Sequence, residues 1–140
     1  MNMSQRTDER ATPQILFDEL NNEFHFEIDL AANHENALLP LYYTKENSAF
    51  DYFWNTNSFL NPPYSELYNW LEYASKQRGL IVVILPCDTS TKWFHDFLWD
   101  KTKHTTRKGI QLRFPKGRFK FGKYTTSPKF ATIIAIFNSK

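Results

Sequence analysis

The double proline in "NSFLNPPYSE" constrains the fold of this chain more than any other stretch of its sequence. Pro62 and Pro63 lack a backbone N–H and have a fixed φ, so the segment can neither continue a strand nor lie inside a helix. The residues before it predict a short strand, and "ELYNWLEYASKQR" after it predicts an amphipathic helix that ends at Gly79. The apolar positions of that helix are Leu67, Trp70, Leu71 and Ala74. The sequence therefore predicts a strand, a rigid stop and a helix in direct succession.

Apolar runs elsewhere in the chain predict further strands. "EFHFEIDLAA" alternates apolar and polar residues and predicts a strand that ends near Asp29. The apolar face of that strand comprises Phe24, Phe26, Ile28 and Leu30. "LIVVIL" is continuous and mostly β-branched, which is typical of a strand buried on both faces of a parallel sheet. The other predicted strands are "ALLPLYYT", "FATIIAIF", and "IQLRF" with "RFKFG" around the turn "PKG".

Two more helices complete the predicted fold. "TPQILFDELNNEF" predicts a first helix, with Thr12 as its N-cap and Pro13 at its first helical position. "DTSTKWFHDFLW" predicts a later capped helix whose core-facing residues are Trp93, Phe94, Phe97 and Leu98. The order β-α-β-α-β in the middle of the chain implies right-handed crossovers and helices on both faces of the sheet. The predicted fold class is α/β, with a mostly parallel sheet.

Length and composition indicate one soluble domain. With 140 residues the chain has room for a single compact domain, which we expect over residues 11–140 behind a flexible tail at residues 1–10. Cys87, the one cysteine, excludes an internal disulfide and is expected to be a small buried residue. The histidines lack metal-ligand spacing, so no metal site is predicted. No apolar run approaches the roughly 20 residues that span a bilayer, and a polar N-terminus predicts a cytoplasmic protein without a membrane partner.

The charged residues are distributed unevenly along the chain. All 15 acidic residues lie within residues 1–100, whereas residues 101–140 contain 11 of the 17 Lys and Arg residues. Aromatic residues alternate with these cations, a combination that suits a polyanion with exposed bases. A solvated basic face is the other interpretation. The candidate nucleic-acid contacts are Arg107, Lys108, Arg113, Lys116, Arg118 and Lys120.

Two polar segments follow predicted strands, at the edge where α/β proteins bind ligands. One contains Asp29, and the other is "NPPY", residues 61–64. The Asn61 side-chain carbonyl and the carbonyl between the prolines can accept both hydrogens of an exocyclic amine, and Tyr64 can stack on the ring that carries this amine. An ordinary turn is the alternative. The position between a strand and an amphipathic helix favours a site that aligns an aromatic amine as a nucleophile.

Five segments, taken in order, resemble the phage-encoded DNA N6-adenine methyltransferases of the Dam-like type. They are "TPQILFDELNNEF", "IDLAAN", "LNPPYSELYNWLEYA", "VVILPCDTSTKWFHDFL" and "KGRFKF". The resemblance covers roughly residues 11–137. These enzymes are small class I methyltransferases, so the resemblance implies a reduced Rossmann-like fold and S-adenosylmethionine (SAM) as cofactor. It also implies methyl transfer to the N6 amine of a flipped-out adenine in DNA, in the cytoplasm of a bacterial host. From its small size the protein is expected to be a monomer or, to cover enough DNA, a homodimer.

The resemblance implies roles for individual residues as well. Asn61, Pro62, Pro63 and Tyr64 match the catalytic motif. The cofactor-binding positions are Thr12, Pro13, Asp29, Ala31 and Ala32, with Glu46 or Asp51 for the ribose hydroxyls. The segment "LPCDTSTKWF" matches one that lines the pocket for the target base, and the basic segment 101–129 would bind DNA phosphates.

Other classes of function remain open from the sequence. The same tetrapeptide fits methylation of an amine on RNA or of a glutamine side-chain amide, and the basic, aromatic C-terminal part argues against only the latter. A chain with this fold could also bind nucleic acid without catalysis. Stabilisation by SAM would separate an enzyme from such a binding module.

Overall fold

The computed structural model describes residues 12–117 and 130–138. The α-helices there are α1 (Gln14–Phe24) and α2 (Leu67–Ser75), with 3₁₀ helices at Ala49–Asp51 and Tyr64–Glu66 and a π-helical turn at Phe94–Leu98. The strands are β1 (Ile28–Asp29), β2 (Ser58–Leu60), β3 (Ile81–Pro86), β4 (Trp99–Asp100), β5 (Thr105–Thr106), β6 (Ile110–Arg113) and β7 (Thr132–Phe137). None of these helices has the length and apolar character that a bilayer crossing requires. The expected tail at residues 1–10 and the predicted strand "RFKFG" lie outside the described residues.

Five of the strands form one mixed sheet in the order β1-β2-β3-β7-β6, and β4 pairs with β5 in a separate hairpin. The pairs β1–β2 and β2–β3 are parallel, whereas β7 is antiparallel to both β3 and β6. The α/β class is confirmed, but the mostly parallel sheet is not, because the longest pairing is the antiparallel one between β3 and β7. A continuous apolar run indicates burial on both faces and carries no information about the direction of the neighbouring strand.

The direction of β6 follows from these pairings. Because β7 runs against both of its neighbours, β6 runs in the same direction as β1, β2 and β3. The carboxyl ends of four strands therefore lie on one side of the sheet, which we call the carboxyl end, and the opposite side is the amino end. Ile81 and Ile110 both pair with Phe137, so β3 and β6 start at the same level of the amino end.

The core lies on both faces of this sheet. On one face Val82 and Ile84 pack in a cluster with α1, and on the other Ile81, Val83 and Leu85 pack in a cluster with α2. This alternation along β3 is the period of two residues that a strand imposes. Helix α2 buries the four predicted positions, Leu67, Trp70, Leu71 and Ala74, which confirms its prediction.

Gly79 lies beyond α2 and does not end it, because the helix already ends at Ser75. The Gly79 N–H donates a hydrogen bond to the Trp54 carbonyl at 2.9 Å. A Cβ atom at this position would lie 2.4 Å from the Thr56 carbonyl oxygen and 2.7 Å from that of Trp54. Gly79 therefore allows two backbone segments to approach closely just before β3.

The region around β1 also differs from the prediction. Phe24 belongs to α1, and His25 ends that helix in the left-handed conformation with φ of 52°, so β1 contains only two residues. Phe26 and Leu30 belong to different core clusters, so the predicted common apolar face is wrong. The segment "ALLPLYYT" contributes a single parallel bridge from Tyr42 to Asp29 rather than a strand.

Candidate active site

The NPPY segment connects β2 to α2 at the carboxyl end of the sheet. Asn61 follows β2, Pro63 is extended with φ of −59° and ψ of 136°, and Tyr64 begins the 3₁₀ helix that continues into α2. Pro62 is buried, and the other three residues are half-buried. The predicted succession of strand, stop and helix is therefore confirmed, and the fixed backbone places Asn61 and Pro62 at this end of the sheet.

Thr12 contacts Asn61 across a long stretch of sequence. The Asn61 Nδ2 atom donates a hydrogen bond to the Thr12 Oγ1 atom at 2.9 Å. The prediction that Thr12 caps α1 is wrong, because Pro13 occupies the N-cap position and no side chain caps the helix. The Thr12 hydroxyl accepts from the Asn61 side chain instead. The sequence offers no local signal for this contact.

Asp29 lies one strand away from the NPPY segment. It pairs with Phe59 in the register of β1 and β2, and the Leu30 N–H donates to the Phe59 carbonyl at 2.9 Å. The side chain is only 3% exposed, and its carboxylate accepts from the backbone N–H groups of Ala31 at 3.4 Å and Leu38 at 3.3 Å. Burial raises the pKa of Asp29 to about 6, against the opposing effect of these two hydrogen bonds. Asp29 therefore orders the loop that follows β1.

That loop brings the other predicted cofactor positions to the same end of the sheet. Ala31 and Ala32 are half-buried, and the Ala32 N–H donates to the Tyr43 carbonyl at 3.0 Å. The Tyr43 ring stacks on the Tyr52 ring with centroids 4.6 Å apart. Glu46 lies in the turn after Tyr43, and Asp51 ends the 3₁₀ helix at Ala49–Asp51; both carboxylates are exposed.

The sequence predicts a capped helix after β3, but the structure has a π-helical turn there at Phe94–Leu98. Trp93, Phe94 and Leu98 are buried and Phe97 is half-buried. The turn is held by hydrogen bonds from the Thr91 hydroxyl to the Asp88 carbonyl and from His95 Nε2 to the Thr89 carbonyl. Cys87, which the sequence predicts to be a small buried residue, is half-buried and packs against the core. The spacing of the apolar residues predicts which of them are buried. It does not predict that the backbone forms a π-helical turn, which is wider than an α-helical one.

Arg107 and Lys108 lie at the amino end of the sheet, because they directly precede β6. The Arg107 guanidinium donates to the His95 carbonyl at 3.0 Å from Nε and 2.5 Å from Nη2. A cavity of about 310 Å³ beside these cations is lined by residues that include Ala74, Phe97, Ile110 and Asn138. The length of β3, on the order of 15 to 20 Å, separates this end from Asn61. The structure therefore does not bring Arg107 or Lys108 beside the NPPY segment.

The other predicted basic contacts differ from these two. Arg113 forms a bidentate ion pair with Glu23 of α1, at 2.6 Å and 2.7 Å. This hydrogen bonding raises the pKa of Arg113 and lowers that of Glu23. Lys116 is exposed and follows the carboxyl end of β6. Arg118 and Lys120 lie outside the described residues.

The family of this chain is indicated by its similarity to known proteins. A family model described as DNA N-6-adenine-methyltransferase (Dam) matches residues 2–128. The DNA N-6-adenine-methyltransferase of Escherichia phage T1 is 31% identical over 90 residues. The matched segment covers 60% of this chain and 38% of the phage T1 protein, so the chain spans well under two thirds of that relative's length.

Proposed function

The chain belongs to the DNA N-6-adenine-methyltransferase (Dam) family, and from this membership we propose that it transfers a methyl group from SAM to the N6 amine of a flipped-out adenine in DNA. The observation that carries the proposal is the placement of Asn61. Its carboxamide is bonded to Thr12 at the carboxyl end of β2, directly ahead of the double proline and one strand from Asp29. Ligands of α/β proteins bind at this end of the sheet.

The arrangement of the sheet supports a reduced Rossmann-like fold for the whole domain, which we propose extends over residues 11–140. Four strands of the main sheet run in one direction, and α1 and α2 cover opposite faces. The segment between β1 and β2 holds a single bridge at Tyr42 and a 3₁₀ helix rather than complete βα units. The reduction therefore lies in the part of the fold nearest to the proposed cofactor site.

The residues at the carboxyl end fit the chemistry of SAM. Small Ala31 and Ala32 leave room for a ligand close to the backbone, and Asp29 orders their loop through two backbone N–H groups. Exposed carboxylates on Glu46 and Asp51 can accept hydrogen bonds from ribose hydroxyls. Pro13 and Thr12 adjoin the site through the Asn61 contact. When bound there, SAM supplies an electrophilic methyl group on a sulfonium.

The NPPY residues would orient the nucleophile. The Asn61 side-chain oxygen and the Pro62 carbonyl accept the two hydrogens of the adenine amine, and the ring of Tyr64 stacks on the base. Because the prolines fix these acceptors, little reorganisation is needed when the amine attacks the methyl carbon. In this orientation the N–CH₃ bond would form as the S–CH₃ bond breaks, leaving S-adenosylhomocysteine, and the amine nitrogen would release one proton to water. The base enters this pocket from the duplex at a cost of a few kcal/mol.

DNA phosphates would meet Lys116, which follows the carboxyl end of β6. We propose Lys116, with Arg118 and Lys120 from the sequence pattern, as the principal contacts, and Arg107 and Lys108 as a separate, more distant pair. Arg113 would also contact a phosphate once its guanidinium exchanged the Glu23 carboxylate, which it binds in this structure, for the phosphate. We place the enzyme in the cytoplasm, as a monomer or homodimer.

Incubation with labelled SAM and duplex DNA tests the proposed function. Digestion to nucleosides should show label in N6-methyl-2′-deoxyadenosine and in no other nucleoside. Thermal stabilisation by SAM and by S-adenosylhomocysteine, measured on the same preparation, tests cofactor binding separately. Stabilisation without methylated adenine in DNA would contradict the proposed substrate, and the absence of both would favour a nucleic-acid-binding module without catalysis.

A further inference from the structure

We propose that Thr12 positions the Asn61 carboxamide for catalysis, an inference that rests on the proposed methyl transfer and gives Thr12 a different partner from the cofactor. The observation is the hydrogen bond of 2.9 Å from Asn61 Nδ2 to Thr12 Oγ1. The two residues are 49 positions apart, so the bond joins separate parts of the fold. Both side chains are half-buried, which limits competition from water for this bond.

The position of the Thr12 hydroxyl is fixed by the docking of α1. Thr12 stands directly before Pro13, whose carbonyl accepts from the Phe17 N–H at 3.1 Å in the first turn of the helix. The Phe17 ring packs edge-to-face on the Phe59 ring, with centroids 5.0 Å apart. Phe59 belongs to β2, two residues before Asn61. The same contact between helix and strand therefore holds both partners of the hydrogen bond.

The bond determines how Asn61 meets the substrate. A carboxamide on a half-buried side chain can rotate about its terminal torsion, and only some orientations present its oxygen to an incoming amine. With Nδ2 bonded to Thr12, the plane of the carboxamide is fixed and Nδ2 is directed toward α1. The side-chain oxygen is then the atom that can accept from the adenine amine. In the reverse orientation, the NH₂ group of Asn61 would face the NH₂ group of the adenine, and neither could accept a hydrogen bond from the other.

Replacement of Thr12 by valine removes the hydroxyl at nearly constant shape and tests this role. Thr12→Val should lower kcat by about 10-fold to 100-fold while changing the KM for SAM by less than about twofold, because misorientation of a reacting group acts on the chemical step. Thr12→Ser keeps the hydroxyl and should recover kcat to within about threefold of wild type. Thr56→Val makes the same change at an exposed position just before β2, at the amino end of the sheet, and should leave both parameters unchanged.

Two results would overturn the proposal. A rise in the KM for SAM at unchanged kcat in Thr12→Val would place the hydroxyl on the cofactor instead. Equal damage from Thr12→Ser and Thr12→Val would show that the methyl group or the fold matters rather than the hydrogen bond. Urea denaturation of each variant separates loss of folding from loss of orientation, since a folded fraction can be assigned to every measured rate.

A second readout does not depend on activity. The side-chain NH₂ signals of Asn61, assigned in a nitrogen–proton correlation spectrum by their loss in Asn61→Ala, should shift in Thr12→Val and remain near wild type in Thr12→Ser. An inactive wild-type protein with this pattern would contradict the proposed function while supporting the Thr12 contact. An active wild-type protein whose Asn61 signals do not respond to Thr12→Val would contradict the contact alone.

Discussion

The two ends of the central sheet hold their polar side chains in different ways. At the carboxyl end, buried or half-buried groups from distant segments bind one another or the backbone, as in Asn61 with Thr12 and Asp29 with the loop after β1. At the amino end, Arg107 and Lys108 are exposed, and Arg107 donates to a backbone carbonyl. The first arrangement fixes the positions of a few groups, as catalysis requires, whereas the second presents charge that any polyanion could meet.

The pKa values of two carboxylates, one in each region, are shifted in opposite directions. Burial raises the pKa of Asp29 at the carboxyl end to about 6. Hydrogen bonds from the backbone N–H groups of Lys103 and Thr102 lower the pKa of Asp100, in the β4–β5 hairpin that leads to the amino end. At neutral pH the ionised Asp29 therefore costs stability, whereas the ionised Asp100 contributes to it. Strongly raised carboxyl pKa values are common at functional sites.

Among substitutions that test the difference between the two ends of the sheet, Asn61→Ala is expected to have the largest effect. Because the Asn61 oxygen would bind the target amine and not the cofactor, kcat should fall by about 100-fold to 1000-fold while the Kd for SAM changes little. Steady-state kinetics and calorimetry measure the two quantities. Asn69→Ala changes an exposed asparagine on α2 and serves as the matched control. Equal loss of catalysis and SAM binding in Asn61→Ala would contradict the assigned role.

The pH dependence of stability should have opposite signs at the two carboxylates. The folded-state pKa of Asp29 is raised from 3.8 to about 6, so its contribution to stability is present below the unfolded value and is lost as pH rises through 6. Between pH 4 and pH 7, Asp29→Asn should therefore gain roughly 2 kcal/mol of stability relative to wild type. Urea denaturation of both proteins at the two pH values measures the difference.

Asp100→Asn is the control of opposite sign. The folded-state pKa of Asp100 is lowered, so its stabilisation is present above the unfolded value and is lost as pH falls through the folded one. This variant should be less stable than wild type at pH 7 and approach it as the pH falls below 4. A gap between Asp29→Asn and wild type that does not change with pH would show that the buried carboxylate does not titrate in this range.

The smallest effects are expected from single lysines at the two ends. Lys116→Ala should weaken DNA binding and lower the magnitude of the log–log salt slope by about one, because one phosphate contact is lost. Lys108→Ala at the amino end should change the slope by less. Binding titrations at several salt concentrations measure both variants, with SAM affinity as the control that neither should alter. A larger effect from Lys108→Ala would move the DNA path to the amino end.

The strand, stop and helix around NPPY could be predicted because their causes are local. Prolines remove donors wherever they stand, and the spacing of Leu67, Trp70, Leu71 and Ala74 determines a buried helix face. The burial of the strand in "LIVVIL" could be predicted in the same way, because a segment of apolar residues alone has no polar face to expose to water. These predictions needed no knowledge of which segments become neighbours.

The features that could not be predicted depend on contacts between distant segments. The reversed direction of β7 is decided by pairing with β3 and β6, and the bond from Asn61 to Thr12 by the docking of α1. The charge pattern predicted one basic surface, but the turn before β6 places Arg107 and Lys108 at the amino end, while Glu23 pairs with Arg113. Sequence spacing gives the charge of a segment, not the end of the sheet at which each residue lies.

Hydrogen exchange with and without S-adenosylhomocysteine tests most directly whether the carboxyl end is the site of methyl transfer. Backbone amides in residues 30–47 and 61–66 should exchange more slowly when the ligand is bound, because this end of the sheet would contact it. Amides in residues 74–79 and 107–111, beside the cavity at the amino end, should be unchanged. Protection confined to the amino end would contradict the assignment of the cofactor and catalytic site to the carboxyl end of the sheet.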